Sequence, residues 1–89
     1  MFAKIKEVME ERRLNALCLK HSKIVAPSYD RVVTIQIVMN DVEMKKKCLE
    51  QLEKIITKQK AVVRTHAADF LIIECPDEDV AKALRRVYG

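Results

Sequence analysis

The sequence predicts an α+β fold, a two-layer sandwich of helices on one face of a largely antiparallel sheet, in the order αββαββα. Three observations carry this expectation. Residues 31–39, RVVTIQIVM, alternate β-branched residues with the period of two that marks a strand. Residues 44–60, MKKKCLEQLEKIITKQK, repeat apolar residues at the three-and-four spacing of a helix. Strand, Asx residue and amphipathic helix then recur between residues 70 and 88, too faintly to establish a duplication. Helices that bury one stripe and strands that bury one face pack as two layers.

Taken in order, Phe2 to Arg13 reads as a helix, with Phe2, Ile5, Val8, Met9 and the aliphatic stem of Arg12 on one face. The following LNALCLKHSKIVA is ambiguous. Leu and Ala favour a continued helix, while Leu17, Leu19 and His21 alternate with Cys18 and Lys20 as in a strand; the balance favours a strand beginning near Ala16. Pro27, Ser28 and Asp30 mark a turn. In the clear strand that follows, Val33, Ile35, Ile37 and Met39 share one face, and Val32, Thr34, Gln36 and Val38 the other. Asn40 is placed as a helix cap, with Glu43 as the capping-box acid. The helix from Asp41 to about Lys58 carries a stripe of Met44, Cys48, Leu52, Ile55 and Ile56, widened by Leu49. Glu43–Lys47 and Glu50–Lys54 are acid-to-base pairs at i,i+4. AVVRTH and DFLIIEC read as strands joined through Ala67, Ala68 and Asp69. PDEDVAKALRRVY closes the chain as a helix, its acids in the first turn and Arg85 and Arg86 in the last, as the helix dipole favours. Val80, Leu84 and Val87 are expected to face the sheet.

Eighty-nine residues, about half of them apolar, correspond to one domain spanning residues 1–89. No apolar run approaches the roughly 20 residues of a membrane span, and no apolar core of signal-peptide length follows Met1 to Lys6. A membrane anchor at Phe2 to Arg13 is a poorer account than core packing, because that helix is short and carries nearly as many acids as bases. The three cysteines are odd in number and far apart, which suits reduced thiols in a cytoplasmic setting better than a disulfide framework. The only glycine is Gly89. Phosphate-cradling loops need glycine for close backbone approach, so a P-loop, a dinucleotide-binding turn and a glycine-bearing RNA clamp are excluded. No small-molecule cofactor is expected.

Four kinds of site remain. Cys18, His21, Cys48, His66 and Cys75 are zinc-type ligands, but no CxxC pair is present and Cys48 belongs to an apolar stripe, so no metal is expected. Catalysis would draw on Cys75, which precedes a helix N-terminus, or on a His66–Asp69 acid/base pair; buried thiols and a polar turn account for the same residues. Nucleic-acid binding draws on a net charge of +4. Lys47, Lys54 and Lys58 form a ridge about 15–17 Å long on one side of the central helix, and Arg12 and Arg13 add to it as phosphate contacts. Glu43 and Glu50 interleave with the ridge and weaken its field. Phe2 and Phe70 read as core, leaving Tyr29 and Tyr88 as free rings, so base reading by stacking looks poor.

The last kind is protein association, through a homodimer or another protein partner. A two-layer sandwich leaves one sheet face uncovered, and Val32, Thr34, Gln36 and Val38 would lie on it unless the N-terminal helix covers them. The leading expectation is a small, non-catalytic accessory or regulatory protein contacting a nucleic-acid backbone or a nucleoprotein complex. The alternative is an interaction subunit or homodimer docking through the sheet face, with no nucleic-acid contact.

Overall fold

Four strands form one antiparallel sheet in a computed structural model that describes the backbone of residues 2–89 and the side chains of residues 8–89. The elements are α1 (Phe2–His21), β1 (Ser22–Tyr29), β2 (Val32–Ile37), α2 (Val42–Lys58), β3 (Val62–His66), β4 (Phe70–Glu74) and α3 (Glu78–Tyr88). The strand order is β1-β2-β4-β3. This is the αββαββα arrangement expected from the sequence.

The central ladder sets the faces. Val33 lies opposite Ile73 and Ile35 opposite Leu71, and these four side chains are fully buried together with Ile37. They meet Cys48, Leu49, Leu52 and Ile56 of α2, Ala81, Leu84 and Tyr88 of α3, and Cys18 of α1 in one cluster. All three helices therefore cover the same face. Each fully buried aliphatic side chain contributes about 1.5–3 kcal/mol, so this face supplies most of the apolar stabilisation. The shortest dimension, 20 Å, fits one helix layer on one sheet and leaves no room for a third layer.

The faint repeat in the sequence corresponds to two ββα units, β1-β2-α2 and β3-β4-α3. They meet at the β2–β4 ladder, with Thr34 opposite Ile72 at its centre, and the strand order relates them by an approximate two-fold axis there. Both helices open alike: Asp41 accepts from Met44 N and Asp77 from Val80 N, each at 3.0 Å.

Several expectations are corrected. The helix does not stop at Arg13. It runs to His21 and the strand starts at Ser22, because Cys18 is buried with its thiol directed at the carbonyl of Cys48, a helix–helix contact that outweighs the local strand pattern. Val8 and Met9 are about half exposed and Arg12 is exposed, so they form no buried face. Phe2, Ile5, Lys4 and Lys6 lie outside the described side chains. The first hairpin turns at Asp30 and Arg31, while Pro27 and Ser28 sit within β1 where its pairing is irregular. The α2 cap is Asp41, one residue after Asn40. Val87 is 56 % exposed, and Tyr88 is buried in its place. Phe70 alternates with Leu71 and so lies on the face opposite the core.

Asp30 and Lys60 adopt left-handed φ values of 46° and 63°, positions that glycine usually fills. Arg85 anchors the first hairpin to α3. Its Nε donates to Ser28 Oγ at 3.0 Å, and its Nη2 donates to Asp30 O and Val32 O at 2.9 and 3.1 Å. Charge-assisted hydrogen bonds of this kind are each worth more than neutral ones. Arg85→Ala is expected to lower stability by about 2–3 kcal/mol, and Arg85→Lys to recover less than half of that, since an ammonium lacks the planar fork. Urea denaturation of the three chains checks this.

Candidate interaction surfaces

The helix-free face of the sheet is built by alternation. Odd-numbered residues of β2 and β4 point at the helices, so even-numbered ones point away. The cross-strand rows on this side are Lys23–Gln36–Phe70, Val25–Thr34–Ile72–Thr65 and Tyr29–Val32–Glu74–Val62. Val25, Val32, Phe70 and Ile72 are half-buried by their neighbours alone and do not pack against the core. Tyr29 and Val62 are exposed. Arg64, at the β3 irregularity, forms an ion pair with Glu74, leaving Lys23 as the one cation of these rows without an acid beside it.

Of the four interface residues predicted on β2, three occupy this face in different states. Val32 is half-buried and offers its side chain. Gln36 donates through Nε2 to Asp69 Oδ2 at 3.1 Å. Thr34 is 1 % exposed because the irregular part of β1 folds over it, and its Oγ1 donates to Pro27 O at 2.6 Å. Val38 lies beyond the end of β2, exposed in the link to α2, with its N–H donating to His21 O. The N-terminal helix does not cover the face, since α1 packs on α2, where Gln51 Nε2 donates to Asn15 Oδ1 at 3.0 Å. Phe70, Ile72, Val25 and Val62 were missed as surface residues. DFLIIEC is apolar on both faces, so only its pairing with β2 decides which side points outward.

The predicted phosphate contacts divide differently. Arg13 and Lys47 border one groove of about 360 Å³ between α1 and α2, floored by Leu14, Leu17 and Met44, with Glu10 on its rim. Lys54 stands in an adjoining depression with Glu10 and Glu11, and on its other side with Glu50 and Glu53. Acids therefore outnumber the cation there. Lys58 and Arg12 are exposed but border neither groove. The helical pairs Glu43–Lys47 and Glu50–Lys54 do not close to within 4 Å; among the described residues the ion pairs are Arg64–Glu74 and His66–Glu53.

The candidate chemical groups are dispersed. His66 Nδ1 lies 3.0 Å from Glu53 Oε2, whereas Asp69 accepts from Gln36, so the expected His66–Asp69 pair does not form. His21 Nδ1 lies 3.1 Å from Val38 O. All three cysteines are free and buried. Burial, and then the neighbouring Cys48, push the Cys18 thiol up to about 12. Burial raises Cys75 as well; Arg85 opposes that shift and Asp77 adds to it. A nucleophilic thiol needs the opposite, a lowered pKa with partial exposure. Among the described residues no three His, Cys, Asp or Glu side chains come together as metal ligands, and no helix is long and apolar enough to cross a membrane. Comparison with protein families, curated proteins and solved structures returns no significant match.

The thiol environment fixes a pH dependence. The unfolded chain releases its Cys18 proton near the ordinary value of 9.0, the folded chain only near 12. The stability held by the neutral thiol is thus fully present below pH 9 and is lost as pH rises towards 12, by at most about 1.4 kcal/mol per pH unit. Urea midpoints are expected to fall between about pH 9 and pH 10.5, and more steeply than in Cys18→Ala.

Proposed function

We infer that this chain is a non-catalytic interaction module that docks a protein partner through the helix-free face of its sheet. One observation carries the reading. Three helices share one face, leaving Val25, Val32, Phe70, Ile72 and Val62 with no covering element on the other. Antiparallel sheets tolerate one solvated face when it is polar; here β-branched and aromatic residues occupy most of it. The raised thiol pKa values and the separation of His66 from Asp69 support a binding role over a catalytic one. Three unpaired, buried cysteines support a reducing, cytoplasmic setting.

The test is retention of a protein from the source cell on immobilised chain. Ile72→Glu and Val62→Glu should lose the retained protein at least tenfold, with unchanged far-UV circular dichroism, while Lys47→Glu with Lys54→Glu retains it. Equal retention by all these variants removes the reading.

A second reading, contact with a nucleic-acid backbone, is favoured by Arg13 of α1 and Lys47 of α2 lining a single groove. Two cations sharing their groove with Glu10 make a weak site, and Tyr29 and Phe70 stand about 15 Å apart on the sheet, too far to stack adjacent bases. On this reading, affinity for duplex DNA or RNA falls with salt at a log–log slope of about −3 or steeper, and Arg13→Glu with Lys47→Glu makes the slope shallower by about 2. Absence of binding to either duplex at low salt eliminates it.

A further inference from the structure

We propose that the partner seated on the helix-free face is a second copy of this chain, stacked sheet to sheet about a two-fold axis. The inference rests on the docking reading above and adds the identity of the occupant.

Charge is the first argument. The chain carries a net +4, but most of its cations stand on the helices: Arg12, Arg13, Lys47, Lys54 and Lys58 are all exposed there. The helix-free face carries Lys23, the Arg64–Glu74 ion pair, which is satisfied within one chain, and at its end Asp69, which accepts from Gln36. Such a face has too few cations for a polyanion, and its acids, Glu74 and Asp69, already hold partners within the chain. It suits a surface that is itself nearly neutral and rich in β-branched residues, and a second copy supplies one. Stacking sheets also sends the two basic helix layers outward. Sheet-to-sheet and helix-to-sheet spacings of about 10 Å put them about 30 Å apart, several times the ~8 Å screening length at physiological salt.

Shape is the second argument. Two copies have the same twist, which is what aligned sheet packing requires, and a contact of one patch with itself closes at two subunits without leading to fibres. The central Thr34 is already roofed by β1 and hydrogen-bonded to Pro27 O, so no unsatisfied hydroxyl is buried at the middle of the contact.

Size sets the strength. Four strands at about 4.8 Å and five residues at about 3.3 Å bound the footprint at about 300 Å², interrupted where the β1 segment lies over Thr34 and smaller than a standard interface. A contact of this size belongs to the weak, reversible class.

Sedimentation velocity of the whole chain from about 5 µM to 1 mM tests this directly. The expected result is a mass rising from 10.3 kDa towards twice that value, and a chain that stays monomeric throughout in Ile72→Glu. Val62→Glu is the control for folding, because Val62 is 48 % exposed and its replacement leaves the core untouched; it should weaken the dimer at least fivefold. A monomer at every concentration overturns the inference but leaves the docking reading intact if Ile72→Glu still abolishes retention of a cellular protein. A dimer that survives both substitutions overturns the inference by placing the contact elsewhere. If, in addition, neither substitution changes retention, the docking reading fails with it.

Discussion

The β2–β4 ladder is the constraint on which the rest of this structure depends. Together with the bonds that extend it, from Ile37 N to Asp69 O and from Cys75 N to Arg31 O, it joins the two ββα units, and its register places Val33, Ile35, Leu71 and Ile73 on the same side. A slip of one residue would present Thr34 and Gln36 to the helices and expel the four aliphatics, since strand side chains alternate with a period of two. Everything that α2 and α3 bury is buried against that choice. The matching caps, Asp41 and Asp77, open the two helices alike, and each helix reaches the other unit's hairpin: α2 packs on β2 and β3, and α3 on β1 and β2.

That constraint also divides the molecule chemically. One layer holds most of the cations, the buried thiols and the groove between α1 and α2. The other is nearly neutral and rich in side chains that pack well on pleated surfaces. Most of the charge and most of the outward β-branched side chains of the sheet therefore lie on opposite layers.

Much of this was legible in the sequence where one signal acts alone. β2 could be read because its β-branched residues occupy both parities around an unmistakable alternation, and α2 because Cys48, Leu52 and Ile56 recur without competition. Legibility failed where two patterns coexist. LNALCLKH satisfies helix and strand alike, and only the fit of Cys18 against Cys48 settles it. Asn40 and Asp41 are both good caps, and the capping-box acid pointed to the earlier one. In α3, Val80-Leu84-Val87 and Ala81-Leu84-Tyr88 lie close together around the helix; the small alanine carried little signal and the tyrosine's polar tip suggested water. At the surfaces, the outward parity of Val32, Thr34 and Gln36 could be read, but the roof over Thr34 could not, because the irregular pairing of β1 has no simple residue code. Rotation about one helix axis placed Lys47 and Lys54 on one side of α2. Their different companions, Arg13 for one and a cluster of glutamates for the other, depend on how α1 lies across α2.

The left-handed turns at Asp30 and Lys60 have a consequence for the unfolded chain. A globular protein of this length ordinarily contains about six glycines; this one has a single glycine, at position 89. Glycine enlarges the set of conformations a denatured backbone can visit, and each replacement by a residue with a side chain at a compatible position is worth about 0.4–1 kcal/mol. The missing glycines thus reduce the conformational entropy surrendered on folding by a few kcal/mol in all. Two strained turn residues, at about 1 kcal/mol each, return part of that gain. For a small domain with a core only one layer deep, a stiff denatured state is a substantial source of stability that no contact in the folded structure records.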